Sequence, residues 1–218
     1  MLTLPWDNPI LSRFIVFEGL DGAGTTTQAR RLCDFLNARR SGNSHQAVLT
    51  CEPTDLPTGR TIRSLLNGSE DVTPWTLALL FAADRHEHLS RPDTGIRDLL
   101  ANGSLVISDR YLFSSLAYQG AYAAFGDVEA LNHQFPLPEH LIFIDTPRET
   151  AKGRMRNRAT RDRLEQDDVQ TRVEAMYRDI ITDFENSGRV SVHRFDGNRS
   201  VETIFGQITE LFDRYIDI

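Results

Sequence analysis

Cysteine and lysine are nearly absent from this 218-residue chain, which has two cysteines, Cys33 and Cys51, and one lysine, Lys152, beside 23 arginines. Two cysteines are too few for a disulfide framework, and neither lies in a CxxC or Cys/His cluster that would hold zinc. A reducing compartment is expected. A single lysine leaves few candidates for any lysine-dependent step. No apolar run approaches the ~20 residues of a membrane span, and Met1 to Pro9 has no basic region of the secretory kind, so a cytoplasmic protein without membrane contact is expected. Positive charge is in deficit as well: the net charge is −7, which gives no support to general nucleic-acid binding. An anionic ligand has to be held locally. Repeats, low-complexity tracts and Pro/Gly/Ser linkers are missing. With 40% hydrophobic and 25% charged residues, the chain reads as one folded domain over 1–218.

What is present is an alternation. Phe14 to Glu18 is a short apolar, β-rich run, followed at once by glycines and then by Thr25 to Leu36, where apolar positions recur at helical spacing. Further buried-strand signals lie at Ala47–Thr50, Leu105–Ser108, Leu141–Ile144 and Val190–Val192, with helix-compatible stretches between them. Five such strands predict a parallel sheet flanked by helices, an α/β fold of the doubly wound kind. Ligands then belong at the strands' carboxyl ends, near Gly19, Glu52, Asp109 and Asp145.

The segment Gly19-Leu20-Asp21-Gly22-Ala23-Gly24-Thr25-Thr26 has the spacing of a phosphate-binding P-loop and the strand-to-helix context that motif needs. Glycines let backbone N–H groups turn toward a nucleotide phosphate, the helix adds its positive end, and the Thr26 hydroxyl is placed to ligate a magnesium ion. Thr25 stands where such a loop carries its lysine, so the cradle is kept and its point charge is lost. Asp109, in Ser108-Asp109-Arg110-Tyr111, emerges from the third strand signal near the expected metal and could bind it or receive a proton. A second charge feature runs from Lys152 to Arg163, with six basic residues against Asp162 alone.

Together with Glu52-Pro53, Leu80–Arg85, Asp109–Tyr111, Ser114–Gly120 and Asp162–Glu165, taken in this order, the loop makes nearly the whole chain resemble the thymidylate kinases. These are P-loop NTPases of the nucleoside monophosphate kinase kind, which move the γ-phosphoryl of ATP to dTMP. The resemblance implies ATP and Mg2+ at Gly19, Asp21, Gly22, Ala23, Gly24, Thr25, Thr26 and Thr27, with Thr26 and Asp109 toward the metal. It implies dTMP at Asp21, Glu52, Phe81, Arg85, Arg110, Ser115, Tyr118 and Gln119. Within that set Phe81 stacks on thymine, Arg85 contacts its O4, and Arg110 clamps the phosphate. Ser115 and Gln119 read the base edge, and Tyr118 crowds the sugar's 2′ position. Phe81 and Arg85 are four apart, hence on one helical face.

The basic segment resembles the lid at about 152–165, of the class that supplies arginines to the transferring phosphates. Arg158 and Arg163 are the expected contacts, and Arg154, Arg158 and Arg161 share a face if helical. Asp196–Arg199 resembles the loop under adenine. The resemblance also implies a homodimer through helices, with Leu77, Leu80, Phe81 and Asp84–Leu89 giving a compatible amphipathic pattern. His86 and His88, two apart on that helix, are assigned no part.

Two cations of the family pattern are missing: Thr25 replaces the lysine, and Cys51 stands where an Arg-Glu-Pro motif has arginine. Each lost transition-state donor costs roughly 3–4 kcal/mol, so activity requires another arginine in the gap, from the lid or from Arg60 or Arg63. Two other readings stay open beside an active dTMP kinase. One is a nucleotide-binding protein without useful transfer; the other is a kinase for another deoxynucleoside monophosphate.

Overall fold

The computed structural model describes residues 2–39, 46–155 and 167–213. Five strands, β1 (Ile10–Glu18), β2 (Ala47–Cys51), β3 (Leu105–Asp109), β4 (Leu137–Asp145) and β5 (Ser191–Asp196), form one sheet in the order β2-β3-β1-β4-β5. Every neighbouring pair is parallel, as the sequence predicts. Side chains alternate strictly across it: Phe14, Val16, Val106, Leu141 and Phe143 join one core cluster, while Ile15, Phe17, Ile107, Ile142 and Ile144 join the other. Both faces are therefore dry, which is why these strands read as continuous apolar runs. Helices α1 (Thr25–Ala38) and α9 (Val201–Phe212) supply Leu32, Leu36, Ile204 and Ile208 to the second cluster. Helices α5 (Leu112–Tyr118) and α8 (Asp167–Ser187) supply Leu116, Tyr177 and Phe184 to the first.

The strand signals differ from the strands mainly at their beginnings. β1 starts at Ile10, four residues early, and its first half is largely exposed. Ser12 and Arg13 break the apolar run, and Arg13 takes φ 63° at an irregularity in the β1–β4 ladder. Pro138 and Glu139 hide the start of β4 in the same way. β5 runs on to Asp196, past the apolar Val192, and several of its residues are exposed as befits a sheet edge.

The remaining helices are α2 (Pro57–Leu66), α3 (Pro74–Ser90), α4 (Ile96–Ala101), α6 (Phe125–Asn132) and α7 (Arg148–Met155). The start of the chain is strapped onto α6. Thr3 N–H, Leu4 N–H and Trp6 Nε1–H donate to Glu129 at 2.9–3.1 Å, and Thr3 Oγ1 does so at 2.5 Å, although Glu129 is wholly buried. Those donors hold its carboxyl below the usual range against the opposing effect of burial. Among the described residues no helix is long and apolar enough to cross a membrane.

Candidate active site

The carboxyl ends of β1, β2 and β3 are level: Phe17 and Cys51 both pair with Asp109. Glu52 N–H donates to the Asp109 carbonyl at 3.1 Å and Arg110 N–H to the Phe17 carbonyl at 2.9 Å. From this edge the P-loop enters α1. Gly22 and Gly24 have φ 86° and 101°, a left-handed backbone that glycine adopts without strain. At Gly22 a Cβ would also lie 2.5 Å from the Ala151 carbonyl of α7, so α7 packs directly on the loop. Helix α1 begins without a side-chain cap and without an acid in its first turn, leaving its positive end for an anion.

At that end Thr26 Oγ1 donates to Asp109 Oδ2 at 2.5 Å, while Asp109 Oδ1 is buried with no partner among the described residues. A hydroxyl and an orphaned carboxylate oxygen are hard oxygen donors and fit Mg2+. Among the described residues no group of three His, Cys, Asp or Glu forms a metal cage. An ion here would draw its other ligands from phosphates and water. Thr25 is buried in the first turn.

Beside this edge lies a cavity of about 300 Å³ whose lining includes Asp21, Glu52, Phe81, Arg85, Arg110, Tyr118 and Gln119. Arg85 is 1% exposed and almost fully engaged: Nε and Nη2 donate to Glu52 Oε2 at 3.0 and 2.7 Å, Nη2 to Ser115 Oγ at 3.0 Å, and Nη1 to Asn132 Oδ1 at 2.5 Å. Ser115 is not part of the lining but stands behind Arg85. Gln119 is buried, and its Oε1 has no partner among the described residues. Arg110 takes φ 75°, rare for a side-chain-bearing residue. Its guanidinium donates to Asp21 Oδ1 at 2.5 Å, to the Gly19 carbonyl at 3.1 Å, and to Ser114 Oγ and Tyr177 Oη at 3.0 and 3.2 Å. Tyr118 Oη donates to Asp21 Oδ2 at 2.8 Å, and burial followed by Asp21 pushes that phenol well up.

A second cavity, of about 630 Å³, opens on the other side and includes Thr26, Cys51, Thr54, Asp55, His88 and Asp109 in its lining. Glu52, Arg63 and Arg110 border both cavities. Arg63 reaches over Cys51: Nη2 lies 3.8 Å from the sulfur and Nη1 donates to the Thr54 carbonyl at 2.7 Å. Arg60 instead turns to the Asp55 carbonyl at 2.5 Å. Cys51 is half-buried, and that burial pushes its thiol up despite Arg63. Both cysteines are free thiols.

Two residues that the sequence gives no site role, His88 and Asp84, join this arrangement. His88 is buried, with Nδ1 3.1 Å from Glu52 Oε1 and Nε2 2.6 Å from Thr50 Oγ1. Asp84 accepts from Thr54 N–H and from the Thr54 and Thr58 hydroxyls at 2.6–2.7 Å, fixing the entry to α2. Neighbouring charges in an otherwise apolar helix were the available signal, since Asp84, Arg85 and His88 all face inward from α3. That corrects the amphipathic pattern expected there. The exposed large apolar residues of α3 are Trp75 and Leu79, whereas Leu77, Leu80 and Phe81 are half-buried.

Of the lid at about 152–165, Lys152–Met155 belong to α7, while Arg158, Arg161 and Arg163 lie outside the described residues. Arg154 ties the P-loop to the turn after β5, donating to the Ala23 and Gly197 carbonyls at 3.2 and 2.6 Å.

Residues 17–208 match the family described as thymidylate kinase. A putative thymidylate kinase of Aeropyrum pernix is 36% identical over 204 residues, covering 91% of this chain and 94% of that protein. A putative thymidylate kinase of Treponema pallidum is 44% identical over 155 residues, 71% and 72% of the two chains. Among solved structures, a thymidylate kinase from Candida albicans has the same fold, with a TM-score of 0.76 at 24% identity over 92% of this chain and 91% of that one. A match over most of the length, to the family and to its individual members alike, places this chain in the thymidylate kinase family.

Proposed function

We propose that this protein transfers the γ-phosphoryl group of ATP to dTMP to give dTDP. The observation that carries this is the junction of two cavities at Arg110, one lined for a nucleoside monophosphate and one bordered by the P-loop edge. Thymine fits the first: its N3–H meets the unpartnered Gln119 Oε1, its O4 the remaining N–H of Arg85, and its ring the half-buried Phe81. Tyr118, tied to Asp21, closes the sugar side and disfavours a 2′-hydroxyl. Arg110 presents a planar fork to the acceptor phosphate. Asp21 competes for the same guanidinium and is displaced in part when phosphate arrives.

Backbone N–H groups from Gly22 to Thr26 hold the donor phosphates, and little covalent chemistry falls to the protein, since transfer needs alignment and charge. Thr26 and Asp109 would hold Mg2+, which would neutralise charge on the phosphate oxygens. The cation missing at position 51 is supplied by Arg63, and lid arginines Arg158 and Arg163 serve the phosphates in place of the lost lysine. Two free thiols suit a reducing cytoplasm, and Trp75 and Leu79, 40% and 44% exposed on one face of α3, suit a homodimer.

The test is initial-rate ADP formation with magnesium-ATP and each of dTMP, dUMP, dCMP and UMP, beside Asp109→Asn and Thr25→Lys. dTMP-dependent turnover lost in Asp109→Asn is expected. Wild-type turnover no better than Asp109→Asn, regained in Thr25→Lys, would mean that ligands are bound without useful transfer.

A further inference from the structure

Glu18, the last residue of β1, is wholly buried, and no step of the transfer above uses it. Its Oε1 accepts from the N–H groups of Tyr111 and Ser114 at 2.9 and 3.1 Å. Its Oε2 accepts from Ser114 Oγ at 2.6 Å and from Tyr177 Oη at 2.8 Å. The same two hydroxyl oxygens, 2.8 Å apart, accept from Arg110 Nη1 at 3.0 and 3.2 Å. Two hydroxyls thus stand between a carboxylate, which has no proton to give, and a guanidinium, which has no lone pair. Their polarity is settled by that placement: each proton points to Glu18 and each oxygen to Arg110. Since both protons go to Oε2, none is left for the contact between the hydroxyls. Only the carboxylate on one side and the guanidinium on the other hold it closed.

We propose that Glu18 is a positioning residue for the phosphoryl acceptor, fixing Ser114 and Tyr177 as hydrogen-bond acceptors so that Arg110 is held in the orientation that meets the acceptor phosphate. This rests on the assignment of that phosphate to Arg110. The left-handed backbone of Arg110 makes such support necessary, because a residue at φ 75° is held there by its contacts. A neutral carboxyl brings a third proton to the three oxygens, so one hydroxyl can turn its proton toward Arg110 and cease to accept. Both states lie within reach, since burial, opposed by Arg110, raises the Glu18 carboxyl to about 7. The charged and titratable groups around it are Arg110 at the end of β3, Asp21 in the P-loop, Tyr111 before α5, Tyr118 of α5 and Tyr177 of α8. Burial lifts all three phenols far above neutrality.

The experiment measures initial rates of the full-length wild type, Glu18→Gln, Tyr177→Phe and Arg110→Gln, varying dTMP and ATP separately. Glu18→Gln puts a donor where only an acceptor works, and Tyr177→Phe removes one relay hydroxyl while leaving Glu18. Both are expected to raise KM for dTMP about tenfold or more near pH 8, with kcat and KM for ATP changed less than about twofold. The wild-type advantage over Glu18→Gln in kcat/KM for dTMP should shrink between about pH 8 and about pH 6. Taking that ratio cancels the titration of the acceptor's own phosphate. A merely structural role would lower all parameters together and leave the ratio flat with pH; that result overturns the inference. So does an unchanged KM for dTMP in Glu18→Gln while Arg110→Gln raises it. An unchanged KM in Arg110→Gln overturns the Arg110 assignment itself, and this inference with it. If Glu18→Gln does not fold, Tyr177→Phe with Ser114→Ala decides by the same KM split.

Discussion

Replacing Arg63 with alanine tests whether a cation on α2 serves in place of the one missing at position 51. Its guanidinium borders both cavities and lies over Cys51, 3.8 Å from the sulfur. The Thr54 carbonyl holds Nη1 at 2.7 Å, which leaves Nη2 toward Cys51. The acidic partner of Arg63 among the described residues, Asp55 at 3.6 Å, is 95% exposed, and a pair of that kind is worth at most about 1 kcal/mol. A unit charge pair at about 4 Å is worth roughly 4 kcal/mol at an effective dielectric of about 20. The Arg63 side chain is 39% exposed, which screens that value to about 2–3 kcal/mol, or 30- to 150-fold in rate. Arg63→Ala should therefore lower kcat/KM for dTMP by about that factor in a coupled ADP assay, while thermal unfolding stays within a few degrees of wild type. The 630 Å³ cavity beside Cys51 has room for a longer side chain. Cys51→Arg in the Arg63→Ala background should then recover about tenfold or more. A kcat/KM within twofold of wild type in Arg63→Ala, or a folded double variant with no recovery, would refute the substitution of one cation for the other.

Glu52→Ala strands the 1%-exposed Arg85 without its carboxylate, and breaking a buried pair in this way costs about 3–5 kcal/mol. A fall in Tm of roughly 6–20 °C is expected by calorimetry, and one under 3 °C would mean that Asn132 and Ser115 satisfy Arg85 by themselves. Glu18 predicts an opposition between stability and acceptor binding. Its carboxyl is raised from 4.5 to about 7 in the fold, so its contribution to stability is complete below about pH 4.5 and is lost as pH rises through about 7. At about 1.4 kcal/mol for each pH unit of the shift, wild type should lose about 2.5 kcal/mol relative to Glu18→Gln between about pH 5 and about pH 8. Parallel urea-unfolding curves at both pH values would show that the group is not perturbed.

The sheet was legible because burial on both faces writes an uninterrupted apolar signature into each strand core. Where Ser12-Arg13 and Pro138-Glu139 interrupt that signature, the first halves of β1 and β4 vanish from view, although the ladder continues through Ile10–Leu137 and Leu11–Pro138. The glycine turn from β1 into α1 and the Asp109-Arg110 edge were legible because each is a run of residues adjacent in sequence. The supports of the site were not. Tyr177 reaches Glu18 across 159 residues and Glu52 reaches His88 across 36, and no local spacing encodes such meetings. His88 looked idle because His86, two residues away, shares no helical face with it, while its partners lie on β2 and just beyond it. Ser115, expected at the base edge, accepts from Arg85 Nη2 across 30 residues, a contact that no local spacing announces.

The strap over α6 has a mechanical consequence. Glu129, which gathers four donors from Thr3, Leu4 and Trp6, lies three residues before Asn132 on the same helix, and Asn132 grips Arg85. Residues Thr3 to Trp6 are thereby geared to the wall of the cavity that Arg85 lines. Trimming them would leave a buried carboxylate ungripped and deliver the slack, through one turn of helix, to the arginine that lines the 300 Å³ cavity. In engineering this protein, the ground ahead of Trp6 belongs to that cavity's suspension and is a poor place to anchor a surface or a fusion partner.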